Sequence, residues 1–317
     1  MYLSMKDLDL KNKFVGVRVD LNSPVVNGKI ILNERFYAHL EVIKELLKNN
    51  CKVVLFSHQG RKGKKSFLPS LEQHANLLSK LLGNKVYYYD GLIEEDAISF
   101  VKNLRNGEIV LMKNLRFYDF ETNKEKIYNN PFIRSYSEIL DFYILDAFSI
   151  AHREHSSVVG FKDKIPNLAG PLFEKELSNV IKLKHHSERP FYYVLGGEKV
   201  DDLIDLIIYS IENRKVNKII TGGLLAVLAL EAAGIETNDE RVKKNEKIID
   251  LLSDYINFLE IPEDVAINLN ERRKDINVFH LKNLDNVQIL DIGKNTANKY
   301  YNLLKKAKTI YAKGPMG

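Results

Sequence analysis

Five arginines in the first half of the chain lie at or just past the end of an apolar run: Arg18, Arg35, Arg61, Arg116 and Arg153. The guanidinium group is planar and permanently charged, and it can bind two oxygens of a carboxylate or phosphate at once. In an α/β protein, ligands bind outside the carboxyl ends of the strands. The recurrence therefore predicts a basic pocket for a small, multiply charged anion, although any one of these arginines alone could equally be a solvated surface charge.

Polar residues suited to ligand binding accompany these arginines. Asp20 and Asn22 are two positions apart, which places both side chains on one side of an extended segment, where they could bind a hydroxylated ligand. An Asn-Ser-Pro sequence such as this one is also common in turns. After the next apolar run, His58 and Arg61 flank Gly60, whose missing side chain lets a ligand approach the backbone closely.

The densest polar stretch of the sequence follows the apolar run at 142–145. Asp146, His152 and His155 could together suggest a metal site. Their spacing is not that of a structural zinc site, and the stretch contains no thiolate ligands. Arg153 stands between the two histidines, so an anion site is favoured and no metal ligands are assigned.

Glycine-rich turns recur at strand ends in the second half of the chain. They are Gly196-Gly197 before Glu198-Lys199, Gly222-Gly223 after Thr221, and the closing Gly314-Pro315-Met316-Gly317. Backbone N–H groups at a helix N-terminus bind phosphate, and Lys199 adds a point charge. None of these turns has the Walker spacing, and each alone could be a plain tight turn. Three together predict a ligand with nucleotide-like phosphates.

The bulk composition narrows the class of protein. The length of 317 residues is typical of two domains, and a net charge of +5 does not by itself indicate nucleic-acid binding. Cys51 is the one cysteine, so no intrachain disulfide can form. The sequence has neither a signal-peptide pattern nor an apolar run of membrane-spanning length. We therefore expect a soluble cytoplasmic protein without nucleic-acid or membrane partners.

Apolar β-type runs alternate with segments of helical periodicity along the whole chain, which indicates βαβ units around parallel sheets. The predicted strands are 14–21, 52–57, 86–89, 108–112, 142–145, 191–195, 218–221, 287–290 and 309–312. The predicted helices are 33–47, 71–82, 135–140, 171–184, 200–211, 224–233 and 295–306. A polar break at 185–190 marks a domain boundary, which gives domains at 1–170 and 188–317 joined by an interdomain helix at 171–187.

The two halves are predicted to bind different ligands by different means. Arginine and histidine side chains in the first half suit an anion, whereas glycine backbone in the second half suits phosphates. An enzyme that moves a phosphoryl group needs both and little further covalent machinery. A Rossmann-type dehydrogenase agrees less well, because Asn22-Ser23-Pro24 follows the first strand where a dinucleotide site has a glycine-rich turn.

Motifs along the whole chain resemble those of the phosphoglycerate kinase family, and of its archaeal type. Up to residue 157 they are Arg18–Asn22, Ser57–Arg61, Glu108, Asn114–Phe117, Asp146–Phe148, Ala151–Arg153 and His155–Ser157. From residue 169 onward they are Ala169-Gly170, Glu174–Leu177, Leu195–Gly197, Lys199-Val200, Thr221–Leu224, Leu290–Gly293 and Gly314–Gly317. These motifs are collinear, which makes the resemblance far more specific than any single motif.

The resemblance implies two doubly wound, parallel-sheet, Rossmann-like α/β domains that face a cleft. The N-terminal domain would bind 3-phosphoglycerate or 1,3-bisphosphoglycerate, and the C-terminal domain would bind ADP or ATP with Mg²⁺, which has no dedicated protein cage. By position, the acid-substrate residues would be Asp20, Leu21, Asn22, Arg35, His58, Gln59, Gly60, Arg61, Arg116 and Arg153. The nucleotide residues would be Gly196, Gly197, Lys199, Gly222, Gly223 and Gly314. Arg35 and Lys199 would be catalytic, and hinge closure would align the two substrates.

Three features depart from the family pattern. Lys313 stands where Asn is common, and Glu198 adds a negative charge to a turn where a small residue is usual. The sequence also stops at Gly317, before further family segments, so the second domain is expected to be incomplete. The leading hypothesis is a phosphoglycerate kinase of glycolysis and gluconeogenesis. The alternative is a nucleotide-deficient, non-catalytic, anion-binding fragment of the same fold.

Overall fold

Two compact units make up the chain, Met1–Ile181 and Lys182–Gly317. The computed structural model describes residues 2–213, 215–269, 272–284 and 287–314. One helix, Pro171–His185, crosses the division between the units. Across these described ranges, no helix is both long and apolar enough to cross a membrane.

The first unit is built on a seven-stranded parallel sheet. The strands are β1 (Leu3–Ser4), β2 (Phe14–Arg18), β3 (Val25–Val26), β4 (Lys29–Ile30), β5 (Lys52–Phe56), β6 (Val86–Tyr89), β7 (Ile109–Met112), β8 (Phe142–Leu145) and β9 (Asn167–Ala169). β3 and β4 form a separate hairpin, and the other strands follow the order β1-β9-β8-β2-β5-β7-β6. β5 and β7 are buried almost throughout, as expected of parallel strands covered on both faces.

Seven α-helices and several short 3₁₀ helices accompany the strands of the first unit, in which every residue after Met1 is described. They are α1 (Glu34–Ala38), α2 (Leu40–Lys48), α3 (Glu72–Leu82), α4 (Glu95–Lys102), α5 (Pro131–Ser137), α6 (Ser156–Val159) and α7 (Pro171–His185). The prediction of a single helix at 33–47 is wrong. The helix is interrupted at His39, whose ring forms hydrogen bonds with Asp20 and Asp146. The helix predicted at 135–140 begins earlier, because Asn130 caps it and proline occupies its first position.

The described part of the second unit contains two sheets. Its strands are β10 (Phe191–Leu195), β11 (Lys218–Thr221), β12 (Leu259–Glu260), β13 (Asp264–Leu269), β14 (Arg272–Asn277), β15 (Ile289–Ile292) and β16 (Thr309–Lys313). Its helices are α8 (Asp201–Glu212), α9 (Gly223–Ala232), α10 (Glu246–Ser253) and α11 (Lys294–Leu304). One sheet has the order β12-β11-β10-β16, and its strands are parallel, as the predicted α/β class implies. The antiparallel sheet β14-β13-β15 is absent from the prediction, and the strand predicted at 287–290 lies instead at Ile289–Ile292.

Helix α9 forms the centre of the second unit. Every residue from Leu224 to Leu230 is buried, so this helix is apolar on all sides. It contacts β11 of the parallel sheet, β15 of the antiparallel sheet and α10, which accounts for burial on every face. The glycine pair at its start is thereby held at a fixed place beside the end of β11.

Candidate active site

Four of the five predicted arginines lie at the ends of strands or in the loops that follow them, at one edge of the sheet in the first unit. β8, β2, β5 and β7 are consecutive and parallel, so the loops that follow them lie side by side. The register pairs Arg18 at the end of β2 with Phe56 on one side and Leu145 on the other. These loops carry residues 19–22, 57–61, 114–116 and 146–157. This is the edge at which parallel α/β sheets bind ligands.

Three of the predicted arginines line one open depression of about 380 Å³ in this region. The lining residues are Arg61, Lys62, Arg116, Tyr118, Asp119, Thr122, Arg153 and His155. Burial, followed by the charges of Arg153 and its neighbouring arginines, lowers the pKa of Arg116 to about 10. A bound anion would offset this mutual repulsion, so the depression suits a group with several negative charges. Tyr118 was not among the residues predicted to bind the ligand, and His155 was considered only as part of the anion site favoured in the stretch after β8.

His58 lies beside this group of arginines as a neutral hydrogen-bond donor. Nη2 of Arg18 is 2.9 Å from Nδ1 of His58. Because a guanidinium group can only donate, Nδ1 accepts this bond and the ring proton lies on Nε2. Burial and the positive charge of Arg18 hold the pKa of His58 well below its usual value. The ring therefore stays neutral near pH 7 and carries its N–H at Nε2.

Arg18 forms hydrogen bonds within the loops at the strand ends and does not line the depression. Its side chain is almost fully buried, with Nε donating to Ser157 Oγ at 2.8 Å and Nη1 donating to the carbonyl oxygen of Val19. The Ser157 hydroxyl in turn donates to Oε1 of buried Glu121 at 2.7 Å. A buried cation and a buried carboxylate are thus joined through one serine, which gives Arg18 a structural role.

We expect Arg18→Met to destabilise the first unit by about 1–3 kcal/mol, because it leaves the buried acceptors Ser157 Oγ and Val19 O without their guanidinium donor. Urea unfolding followed by far-UV circular dichroism measures the change in the free energy of unfolding. Arg134→Met, which removes an exposed arginine, is the control. A loss below about 1 kcal/mol, the scale of exposed ion pairs, would contradict the structural role.

Asp20 connects Arg35 to the loop that follows β2. Oδ2 of Asp20 accepts hydrogen bonds from Arg35 Nη1 and from Ser149 Oγ, and Oδ1 accepts one from the backbone of Asn22. Burial raises the pKa of Asp20, but the bond from Ser149 and the charge of Arg35 outweigh it, so the net shift is downward. The Arg35 side chain is still 45% exposed, which leaves its guanidinium accessible to a ligand.

The remaining predicted acid-site residues shape the loops. Leu21 has its side chain in the core, and its N–H donates to Ser57 Oγ. Gln59 is fully buried and forms hydrogen bonds with both backbone groups of Ser23. Gly60 has a φ of +66°, and a Cβ there would lie 2.3 Å from a backbone oxygen, so no other residue fits without a shift.

The glycine-rich turns of the second unit form a second pocket, of about 460 Å³. β11, β10 and β16 are neighbours, so the turns after Thr221, Leu195 and Lys313 meet at one end of the sheet. The lining residues are Gly196, Gly197, Glu198, Lys199, Leu203, Gly223, Leu224, Arg241, Leu290, Lys313 and Gly314. This pocket therefore contains all the predicted nucleotide residues except Gly222, which precedes α9 as its N-cap.

Close backbone approach explains the glycine at the end of β16. Gly314 has a φ of +86°, and a Cβ there would lie 2.1 Å from the carbonyl oxygen of Gly196. Gly197 also has a positive φ, of +108°. Only glycine adopts these conformations without strain. The rest of the predicted closing motif, residues 315–317, lies outside the described residues.

Arg241 lines the pocket but belongs to no motif that would single it out in the sequence. Its Nε and Nη2 donate to the two carboxylate oxygens of buried Asp239 at 2.9 and 2.7 Å, and Nη2 also donates to the Ile289 carbonyl oxygen. The Asp239 hydrogen bond raises the pKa of Arg241, and the charge of Glu198 adds to the effect. The negative charge of Glu198 in the glycine turn is thus partly balanced by a fixed cation.

A parallel-sheet unit with a basic edge and a second unit with glycine-rich strand ends are features of α/β proteins that bind small phosphorylated ligands. The family model for phosphoglycerate kinase matches residues 5–317. Phosphoglycerate kinase of Methanothermus fervidus is 37% identical over 100% of this chain and 80% of its own length. That of Pyrococcus furiosus is 36% identical over 99% of this chain and 80% of its own length.

Solved structures give the same assignment. The crystal structure of phosphoglycerate kinase from Pyrococcus horikoshii has a TM-score of 0.91 and 33% identity, and the match covers 99% of this chain and 81% of that one. The enzyme from Coxiella burnetii has a TM-score of 0.78 and 30% identity, covering 100% of this chain and 81% of that one. The chain belongs to the phosphoglycerate kinase family, and the resemblance seen in its motifs is confirmed.

Proposed function

We propose that this chain catalyses reversible phosphoryl transfer from 1,3-bisphosphoglycerate to Mg–ADP, giving 3-phosphoglycerate and ATP, in the cytoplasm. The observation that carries the proposal is the cluster of Arg61, Arg116 and Arg153 at the carboxyl edge of the first sheet. The glycine-rich pocket of the second unit and membership of the family support it.

The reaction needs no proton transfer in the forward direction. An oxygen of the ADP β-phosphate attacks the phosphorus of the acyl phosphate, and the bond from that phosphorus to the carboxyl oxygen breaks. The products are ATP and the carboxylate of 3-phosphoglycerate. Catalysis of such a step consists of positioning and of stabilising charge on the phosphoryl oxygens, so arginine and lysine can supply it without a general base.

The acid substrate is assigned to the basic edge of the first unit. Arg61, Arg116 and Arg153 would bind the phosphate at C3. They line one depression, and their positive charges repel one another when no anion is bound. Asp20 and Asn22 would accept and donate to the hydroxyl group, and His58 would donate its N–H to an oxygen of the acid. Arg35 would contact the phosphoryl group in transfer, which its exposed guanidinium permits.

The nucleotide is assigned to the glycine-rich pocket. Backbone N–H groups at the turns 196–197 and 222–223 would bind the phosphates, and Lys199 would share the transferred group. Within the described ranges, no group of three or more His, Cys, Asp or Glu side chains is arranged to hold a metal. Mg²⁺ would enter as part of the nucleotide substrate, held mainly by phosphate oxygens and water.

A coupled assay of the purified 317-residue chain tests the proposal. With 1,3-bisphosphoglycerate and Mg–ADP supplied, we expect ATP to form, and to form only when both substrates are present. A parallel preparation from host cells that do not express the chain reports contaminating kinase activity. Binding of 3-phosphoglycerate with no ATP formation would overturn the proposal in favour of the non-catalytic alternative, which family membership itself does not favour.

Arg241→Met is expected to raise the KM for Mg–ADP by about 10-fold or more and to leave the KM for the acid substrate unchanged. Loss of one charge-assisted hydrogen bond to the nucleotide has this size, and the guanidinium is already fixed by Asp239. Steady-state kinetics with each substrate varied in turn measures the two KM values separately. Arg272→Met, on exposed β14, is the matched control, and an unchanged nucleotide KM would show that Arg241 does not contact the ligand.

A further inference from the structure

A buried histidine–aspartate pair, His39 and Asp146, lies against the loop 19–22 that follows β2 in the first unit. Nδ1 of His39 is 2.6 Å from Oδ2 of Asp146, and both residues are 1% exposed. Neither the proposed reaction nor the ligand assignment uses His39. The pair joins the junction between α1 and α2 to the loop after β8, two segments that are 107 residues apart in the chain.

The hydrogen bonds fix which atom of the ring carries the proton. The backbone N–H of Asp20 donates to Nε2 of His39 at 2.9 Å. Since Nε2 accepts, the proton is on Nδ1, where it is donated to Asp146. A neutral ring therefore satisfies both partners, and it transmits the position of Asp146 to the backbone of Asp20.

The other oxygen of Asp146 reaches the first turn of α7. Oδ1 accepts a hydrogen bond from the backbone N–H of Leu172 at 3.0 Å. The carboxylate packs so closely against Gly170 that a Cβ there would lie 2.2 Å from Oδ1. Helix α7 starts at Pro171 and continues past Ile181 into the second unit.

These contacts form one continuous series from the acid site to α7. Arg35 and Ser149 bind the Asp20 carboxylate, and the Asp20 backbone binds His39. His39 binds Asp146, which binds the start of the helix. Asp20, His39 and Asp146 are buried, so the bonds between them do not compete with bulk water, whereas Arg35 and Ser149 at the start of the series are exposed.

We propose that His39 is a positioning residue that holds Asp20, and through it Arg35, in register with the start of α7. Binding of the acid substrate, which orders Asp20 and Arg35, is thereby coupled to the helix that leads to the nucleotide-binding unit. This inference rests on the proposed function for its two ligands. The competing explanation is that the pair contributes only to the stability of the first unit.

Two substitutions separate the two bonds of the ring. In His39→Gln the side-chain oxygen can still accept from Asp20, but the link to Asp146 is lost. In His39→Asn the side-chain amide can still donate to Asp146, but the link to Asp20 is lost. Asp146→Asn is a third variant, which tests the series without altering His39.

Titration calorimetry measures the dissociation constant of 3-phosphoglycerate alone and in the presence of saturating Mg–ADP. The ratio of the two is the coupling factor, and allosteric coupling in proteins is commonly about 5- to 150-fold. We expect His39→Gln and Asp146→Asn to bring this factor to within about 2-fold of unity. In the absence of Mg–ADP, His39→Gln should change the dissociation constant of 3-phosphoglycerate by less than about 2-fold. His39→Asn should raise that dissociation constant clearly.

Tyr136→Phe is the matched control for lost stability, because it removes a buried hydrogen bond, to the Leu92 carbonyl oxygen, away from the series. It should lower the unfolding midpoint and leave the coupling factor unchanged. Variants at His39 that lose only stability, or a wild-type chain without coupling between the ligands, would overturn the inference. Failure of the wild-type chain to bind either ligand would instead overturn the proposed function.

Discussion

Replacing Arg35 with methionine is expected to lower kcat for ATP formation by about 10³-fold or more. A transition-state arginine in phosphoryl transfer has an effect of this size, because it neutralises charge that develops on the equatorial oxygens. Methionine preserves the length and much of the volume of the side chain but removes the charge. The coupled assay at saturating concentrations of both substrates measures the change.

Two further variants show whether the effect of Arg35→Met is specific to this position and whether charge alone can replace the guanidinium group. Arg35→Lys keeps the charge but not the planar fork, so we expect it to recover only part of the rate. Arg134→Met removes an exposed arginine of α5 in the same unit and should leave kcat unchanged. If Arg35→Met raised only the KM for the acid, Arg35 would be a ground-state binding residue and not catalytic.

Lys199→Met is expected to lower kcat by about 10²-fold and to raise the KM for Mg–ADP while leaving that for the acid unchanged. Lys199 lines the glycine-rich pocket directly after the turn at the end of β10. Removal of one preorganised donor to a developing negative charge has an effect of about 10²–10³-fold. Steady-state kinetics in both directions of the reaction measures it.

The control for Lys199 is Lys247→Met, which removes an exposed lysine of α10 in the same unit. It should have wild-type kinetics. If Lys199→Met raised the KM for the acid substrate as much as that for the nucleotide, the assignment of Lys199 to the nucleotide would be contradicted.

Much of the fold could be predicted from periodicity. The strands Val86–Tyr89, Phe142–Leu145, Phe191–Leu195 and Lys218–Thr221 have the bounds that were predicted. Each is a short, largely apolar run bounded by polar residues, glycine or proline, the pattern of a parallel strand. The strand Arg272–Asn277 could not be found this way, because its residues are charged and mostly exposed and its partner strand supplies the ordering.

The candidate site shows a similar limit. Strand-end arginines could be selected because topology alone brings strand ends together. The same rule could not tell the buried Arg18 from the accessible Arg61, since the difference depends on Ser157 and Glu121, far away in the chain. Neither His39 nor Arg241 belongs to a recognisable sequence motif. His39 is identified by its tertiary hydrogen bonds, and Arg241 by its place in a pocket that forms only on folding.

Separate residues of the two units are proposed to bind the acid and the nucleotide, and titration calorimetry of wild type, Arg116→Met and Lys199→Met with each ligand measures both affinities. We expect the wild type to bind 3-phosphoglycerate and Mg–ADP. Arg116→Met should weaken binding of the acid by about 10-fold or more and leave nucleotide binding unchanged, and Lys199→Met should weaken binding of the nucleotide only. Loss of both ligands in either folded variant, or no nucleotide binding by the wild type, would contradict this assignment.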